Sequence, residues 1–308
     1  MILDNQDLEK YLSISPNFDF KSFVIYIPKA IRSFVNRYVG NLYQELKNAE
    51  SEIEYSDIKI KAKELIDTAV ANFAFYLYTP YISVSMDSSG MYVVKTDQRA
   101  PISTTQLNDI RRELLRSGHE AMDELLEVLE VNADVFPYWH NHYSTIYRDS
   151  LVYSTSEFNK YFNILNSRQT FLSLKPSIIN IEDKVIKTSF TANYLESLKG
   201  TATGDNKLIK EFLQKAIVHG TIAKVYSEGV YEITPSSIVL KFDLLDYERK
   251  QVATLTEQMK NAISSHTSDM NNYLKLAYEL AEGVDNALIQ KDSSKGYKPI
   301  ITKSIIGI

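Results

Sequence analysis

His140 and His142 are the pair of residues in this sequence whose types and spacing come nearest to a chemical site. On a β-strand, a His-x-His spacing would direct both rings to one face, as zinc ligands sometimes are. The pair lies instead in a turn-rich stretch beside Trp139, and no third ligand is implied nearby. The pattern therefore favours a packed, hydrogen-bonded junction, and we predict no metal, with His140 and His142 as the alternative ligands. The other histidines are isolated in the sequence: His119, His219 and His266.

Other patterns that could carry chemistry are incomplete. The loop from Gly200 to Lys207 precedes a helix, but its glycine spacing is not that of a phosphate-binding loop, so we predict a helix connection capped by Asp205. Four glutamates recur at helical spacing on one stretch, which is typical of a solvated face: Glu120, Glu124, Glu127 and Glu130. No Gly-x-Ser-x-Gly motif occurs. We predict a protein that is not an enzyme, with no catalytic residues and no cofactor.

The elements that would position such groups are repeated along the chain. Ile27-Pro28 and Lys175-Pro176 open similar helical stretches, and their prolines lie 148 positions apart. Lys63–Ile66 and Lys210–Leu213 keep nearly the same offset. Two landmarks at one spacing indicate a duplicated unit. The predicted fold is therefore mainly α, a tandem duplication of a helical-bundle unit in which each copy carries a small β-hairpin.

The predicted boundaries follow from turn and cap signals. The first helical copy spans 1–140 with a hairpin near 81–96, the second spans 155–290 with a hairpin near 225–243, and 291–308 form an extended tail. Ser56 offers an N-cap for one helix, and Gly40 marks the end of another. We expect two helices near 103–117 and 118–132, and a break at Pro176.

Composition excludes several classes of protein. The 308 residues contain no cysteine, which removes disulfide scaffolds and thiolate metal sites. No signal peptide opens the chain and no apolar stretch reaches the roughly 20 residues of a membrane span, so we expect a soluble protein made in the cytoplasm. The net charge of −5 divides into −7 for residues 1–150 and +2 for the rest, and neither half has the basic stripe of a nucleic-acid binder.

Tyrosine is abundant, with 21 residues, and several lie between positions 73 and 81. Tyrosine is enriched in protein interfaces, although a helix buried against its duplicate explains the cluster equally well. The β-branched end of the tail could add a strand to a neighbouring subunit or pack on its own chain. The candidate interface residues are Tyr76, Tyr78, Tyr81, Tyr297, Ile300, Ile301, Ile305 and Ile306.

Three segments carry a resemblance to a known class of proteins. These are Asp7–Ile14 with the sequence DLEKYLSI, the helix that ends at Tyr38-Val39-Gly40, and the Tyr-rich helix end from Asp67 to Tyr78. Together they resemble the head–tail connector (adaptor, or head-completion) proteins of tailed bacteriophages. Through Arg168–Pro176 and the stretch from Leu125 to Trp139, the full chain also resembles an uncharacterised duplicated family from phages and prophages of gut bacteria.

The resemblance implies a non-enzymatic virion protein of the phage neck. Its expected partners are portal, tail or other neck proteins, in a homo-oligomeric ring through which DNA could pass, with no membrane and no sequence-specific nucleic acid. Its expected location is the virion, after synthesis in the bacterial cytoplasm. The alternative is a soluble helical interaction or regulatory protein of a mobile element. A third reading is a metal-dependent hydrolase that uses His140 and His142.

Overall fold

The computed structural model describes residues 2–49, 56–82, 84–87, 90–93, 102–142, 150–228, 231–233, 238–240 and 257–289. These residues are mainly helical, as predicted, and they divide into two compact units, one on each side of residues 143–149. The predicted tail of residues 291–308 lies outside the described residues. Among the described residues, no helix is both long and apolar enough to cross a bilayer.

The first unit contains eight labelled helices and one strand pair among its described residues. They are α1 (Asn5–Glu9), α2 (Phe20–Phe23), α3 (Ile27–Ala30), α4 (Asn36–Val39), α5 (Leu42–Ala49), α6 (Asp57–Tyr78), β1 (Val84–Asp87), β2 (Gly90–Val93), α7 (Thr104–Val131) and α8 (Pro137–His142). Short 3-10 turns lie at Val24–Tyr26 and Thr79–Tyr81, and a π-helical turn at Ile31–Val35 joins α3 to α4.

The second unit repeats much of this order. Its elements are α9 (Thr155–Tyr161), α10 (Arg168–Ile181), α11 (Ala192–Lys199), α12 (Asp205–Glu228), β3 (Tyr231–Ile233), β4 (Ile238–Leu240) and α13 (Glu257–Val284). A π-helical turn at Glu182–Ile186 follows α10, and a 3-10 turn lies at Asn286–Leu288. Each unit thus places a π turn, a short helix, a long helix, a strand pair and a second long helix in the same sequence.

The strand pairs lie within the ranges of the predicted hairpins. β1 and β2 are antiparallel, with Val84 opposite Val93 and Asp87 opposite Gly90. β3 and β4 are also antiparallel, with Tyr231 opposite Leu240. Their connecting turns lie outside the described residues, so only the short ladders belong to the structure described here.

Two local caps predicted from the sequence are confirmed. The hydroxyl oxygen of Ser56 accepts a hydrogen bond from the Lys59 amide at 3.3 Å, and α6 begins at the next residue. Gly40 ends α4 with a φ of 57°, a left-handed conformation that glycine adopts without the steric cost of a Cβ.

Two predicted helix breaks are wrong, because packing overrides local propensity in both places. The predicted helices near 103–117 and 118–132 form the single helix α7, and Gly118 lies in its buried face against the ring of Phe73. Pro176 lies inside α10, where the fully buried Leu174 and Ile178 on either side of it hold the helix together.

The long helices form the centre of each unit. In the first unit, α6 packs against α7, and Phe73 and Leu126 are fully buried. In the second, α12 packs against α13, and Leu213 and Met270 are fully buried. Both helix pairs are antiparallel. In the first unit Phe73 meets His119, and the later Tyr76 meets the earlier Arg111. In the second unit Phe212 meets Tyr273, and the later His219 meets the earlier His266.

Candidate metal site between the long helices of the second unit

His219 on α12 and His266 on α13 meet across the antiparallel helix pair. Their Nδ1 atoms lie 2.9 Å apart, which is a hydrogen-bond distance, and the direction of donation depends on which tautomer each ring adopts. The two histidines, which are isolated in the sequence, are therefore neighbours in the fold. They are 47 residues apart in the chain, and only the packing of α12 on α13 brings them together.

Asp269 completes a cluster of three potential ligands. It follows His266 by three positions, a spacing that puts both side chains on one face of α13. One carboxylate oxygen of Asp269 lies 3.6 Å from Nδ1 of His219. One ligand atom from each of the three side chains lies within 4.8 Å of the other two. We call His219, His266 and Asp269 the helix-pair cluster.

Aromatic rings surround the two imidazoles and fix their planes. Tyr226 stacks on His266 with ring centroids 5.8 Å apart and planes tilted by 22°. Phe162 meets the same ring edge-on at 5.7 Å. Tyr273 lies beside His219 at 5.6 Å. The cluster is thus enclosed by aromatic surface on the core side, while the Asp269 side chain is 43% exposed.

The electrostatics of the cluster favour neutral imidazoles. Burial lowers the pKa of His219, and Lys215 one turn away lowers it further, while Asp269 acts in the opposite direction. Burial also lowers the pKa of His266, as does its neighbour His219. Two neutral imidazoles and a carboxylate can share a proton, or they can present lone pairs to one metal ion.

A second polar feature of this unit is the buried carboxylate of Glu182, at the start of the π turn. Its Oε1 accepts hydrogen bonds from the Leu151 amide at 2.6 Å and the Ser150 hydroxyl at 2.9 Å. Burial raises the pKa of Glu182. The two hydrogen bonds and the charges of Lys175 and Lys187 lower the pKa, but burial has the larger effect. The residue lines a cavity of about 200 Å³, and its contacts tie the segment at 150–152 to the π turn, a structural task.

The predicted interface tyrosines occupy different environments. Tyr76 is buried, and the Arg111 guanidinium lies over its ring at 4.9 Å and donates a hydrogen bond to its hydroxyl at 3.3 Å. Tyr78 is half-buried among the rings of Phe18, Phe23 and Tyr26. Tyr81 is 42% exposed. Tyr297 and the four tail isoleucines lie outside the described residues: Ile300, Ile301, Ile305 and Ile306.

The metal-ligand pair considered from the sequence lies elsewhere. His140 and His142 belong to the helix α8, not to the strand on which their spacing would align two rings. Their side chains lie outside the described residues. The sequence did contain a signal for the helix-pair cluster, because His266 and Asp269 have a ligand-like i,i+3 spacing. The sequence does not show how α12 is aligned against α13, and this alignment is what brings His219 to the other two residues.

Comparisons with known proteins return one family. A family described only as being of unknown function, DUF6712, matches residues 32–148 and again residues 182–281. No curated protein and no solved structure matches the chain. The two matched stretches run from the π turn through the second long helix of each unit, with the helix-pair cluster inside the second stretch.

Proposed function

The chain belongs to the DUF6712 family, and we propose that it is a non-enzymatic structural protein of a phage or prophage particle, a head–tail connector built from a tandem duplication. It assembles with portal, tail or other neck proteins and takes its place in the virion as a homo-oligomeric ring. The proposal is supported by the sequence resemblance of residues 7–14, 30–40 and 67–78 to connector proteins.

The observation that carries the proposal is the repeated order of elements in two units of different chemistry. Both units have the π turn, the short helix and the long antiparallel pair. At the helix seam, however, the first unit packs His119 edge-on against Phe73, which stacks on Phe34, while the second gathers His219, His266 and Asp269. The two units share an arrangement of helices but differ in their polar side chains. This is what we expect of a protein that functions through its shape rather than through a shared catalytic site.

The first unit offers a surface that a partner could cover. Tyr81 and Ile82 are exposed at the end of the Tyr-rich helix, and Ile25 is 56% exposed beside Tyr26, whose ring contacts Tyr81 at 5.7 Å. Exposed apolar residues that lie close together often mark an interaction surface. We call Ile25, Tyr81 and Ile82 the apolar edge.

The direct test is the composition of particles from the phage or prophage that encodes this chain. Mass spectrometry of gradient-purified virions should find the chain at a fixed molar ratio to the portal protein. Its presence in the cell lysate but absence from the particles would overturn the proposal and favour the interaction or regulatory protein of a mobile element.

The apolar edge gives a sharper test with a matched control. Ile82→Asp should prevent incorporation into particles while leaving the helical circular dichroism spectrum unchanged, because the side chain is already solvent-exposed. Val131→Asp is the control, since Val131 is also an exposed aliphatic residue of the first unit. Incorporation that is equal for both variants would remove the apolar edge as the contact surface.

A further inference from the structure

We propose that the helix-pair cluster binds one transition-metal dication of the zinc class through Nδ1 of His219, Nδ1 of His266 and a carboxylate oxygen of Asp269. The ion bridges α12 and α13 and thereby fixes the register of the long helices of the second unit. This site is independent of the proposed particle function.

The distances fit a metal ion. Zinc lies about 2.0–2.1 Å from imidazole nitrogen and about 2.0–2.2 Å from carboxylate oxygen, so tetrahedral ligand atoms lie about 3.3–3.5 Å apart. The observed Nδ1–Nδ1 distance is 2.9 Å and the His219–Asp269 distance is 3.6 Å, one on each side of that value. The third pair of ligand atoms, from His266 and Asp269, lies within 4.8 Å, so rotation of the Asp269 side chain toward His266 is required to reach the tetrahedral spacing.

The surroundings prepare the rings for this role. Stacking on Tyr226 and the edge contact with Phe162 hold the His266 ring with its Nδ1 toward His219. A metal ion binds neutral imidazole, and the partial burial of both rings disfavours their charged form. Preformed ligands cost less ordering entropy on binding than side chains that must be collected from solvent.

Charges of both signs lie near the cluster, and the cluster is open to solvent on the side of Asp269. Asp269 supplies one negative charge, and Lys215 is the nearby cation that opposes a dication. The Lys215 ammonium lies over the rings of Tyr273 and Phe212, at 5.4 and 5.7 Å from their centroids. Three protein ligands leave a fourth tetrahedral position, which water occupies on the exposed Asp269 side.

The site distinguishes the two units. In the first unit the seam histidine His119 is 5% exposed and packs against Phe73 at 4.9 Å, with Phe34 beyond. Phenylalanine rings offer no ligand atoms, and no metal-type group of three His, Asp or Glu side chains occurs among the described residues of that unit. We therefore expect one ion per chain.

The experiment is a titration of the full chain with Zn²⁺, after treatment with a chelator, followed by calorimetry near pH 7. We expect one Zn²⁺ per chain with micromolar or tighter affinity, and a rise in the thermal midpoint on Zn²⁺ addition. Co²⁺ in place of Zn²⁺ should give the intense visible absorption of a tetrahedral site. Failure to bind Zn²⁺ above background would overturn the proposal.

Three variants identify the ligands. Asp269→Asn keeps the shape of a half-exposed side chain, so it should fold normally and weaken Zn²⁺ binding about tenfold or more, since even outer-shell changes at metal sites cost about 10–100-fold. His266→Ala should abolish binding. The double variant His140→Ala/His142→Ala should bind as the unchanged chain does, because neither histidine is one of the three proposed ligands.

The readouts exclude a merely structural explanation. Far-ultraviolet circular dichroism and amide hydrogen exchange in α12 and α13 report whether each variant folds. A folded Asp269→Asn chain that binds Zn²⁺ with unchanged affinity would overturn the assignment. So would loss of binding in the His140/His142 double variant.

Discussion

The two long helix pairs have the same place in their units and opposite chemistry where they meet. At the α6–α7 seam of the first unit, Phe73 meets His119 edge-on at 4.9 Å, and the Phe73 ring also stacks on Phe34 of the π turn at 4.4 Å. The α12–α13 seam of the second unit is partly polar, with two imidazoles 2.9 Å apart and a carboxylate beside them. One seam is held by ring packing, and the other offers atoms that can bind an ion or share a proton.

The glycines of the two seams show how closely the helices approach. A Cβ added at Gly118 on α7 would lie 2.6–2.9 Å from three atoms of the Phe73 ring. A Cβ added at Gly220 on α12 would lie 2.7 Å from the Met270 sulfur and 3.0 Å from a methyl of Ile181. Both units therefore use glycine for close contact, but a rigid ring covers the first glycine and a flexible thioether covers the second.

The largest difference is expected from removing the covering side chain. Phe73→Ala should destabilise the first unit by about 3–5 kcal/mol, the usual cost of deleting a buried phenylalanine ring. The loss includes the contacts of that ring with Phe34 and His119. Urea unfolding followed by Trp139 fluorescence measures the change, because Trp139 is buried in the first unit and its indole nitrogen donates to the Tyr38 carbonyl.

The volume-conserving substitution in the second unit is Met270→Leu, and its counterpart in the first unit is Phe73→Leu. Because Met270→Leu conserves volume, it should cost less than about 1.5 kcal/mol, measured by amide hydrogen exchange in α12 and α13. If Phe73→Leu cost as little as Met270→Leu, ring stacking would contribute nothing specific to the first seam, and the contrast between the two seams would fail.

A smaller difference is expected from the glycines themselves. Gly118→Ala should destabilise the first unit by about 1–3 kcal/mol, because the Phe73 ring is held by Phe34 and cannot withdraw. Gly220→Ala should cost less, since Met270 can change rotamer, whereas the helix-propensity gain of alanine over glycine, about 1 kcal/mol, is the same for both variants. Thermal unfolding and hydrogen exchange measure both.

Gly283→Ala serves as the control for helix propensity. Nothing lies within 4 Å of a Cβ built there, so the variant should be neutral or slightly stabilising. Equal losses for Gly118→Ala and Gly220→Ala would show that the thioether is as unyielding as the ring.

These glycines also show what the sequence could and could not predict. The apolar stripe and the Ser56 cap predicted α6, because those signals act within one helix. The predicted boundary between two helices near 117–118 falls at Gly118, and the Phe73 ring that packs against this glycine lies 45 positions earlier in the chain. In the same way, Pro176 was predicted to end a helix that its buried neighbours continue.

The candidate site was missed for a related reason. His219 and His266 become neighbours only through the register of two helices, and no spacing along the chain encodes that register. His140 and His142 are separated by a single residue in the sequence, which drew attention to a pair whose backbone is helical. Local signals thus predicted helices and caps well, while contacts between helices needed the folded chain.

A pH-dependent difference is expected at the π turns, whose first residues are Ile31 in one unit and Glu182 in the other. Burial raises the pKa of Glu182 above its ordinary value of 4.5. The folded state therefore binds a proton more tightly than the unfolded state, and stability present below about pH 4.5 is lost as the pH rises through the folded pKa. The second unit should be less stable at pH 7 than at pH 4.5 by this contribution.

Glu182→Gln should remove that contribution and reduce the pH dependence of the second unit. The glutamine carbonyl oxygen can accept the same two hydrogen bonds that reach Oε1 of Glu182, so the fold is retained. Asp183→Asn is the control, because Asp183 is exposed and pairs with Lys187, an interaction worth about 0.3–0.5 kcal/mol. Hydrogen exchange of α10 at several pH values separates them, and an unchanged pH slope in Glu182→Gln would contradict the role of burial.

The smallest effect is expected at helix N-termini, where the two units are alike. The hydroxyl oxygen of Ser103 accepts from the Gln106 amide at 3.2 Å before α7, and that of Ser167 accepts from the Thr170 amide at 3.2 Å before α10. Ser103→Ala and Ser167→Ala should each cost about 1 kcal/mol, and the glycine variants only a few tenths of that amount. Ser103 also donates its backbone N–H to the Gln106 side chain, a contact that alanine at position 103 retains.

Hydrogen exchange in the first turns of α7 and α10 should therefore rise by similar factors. A cost several times larger in one unit would place part of the difference between the units at their helix ends as well as at their seams.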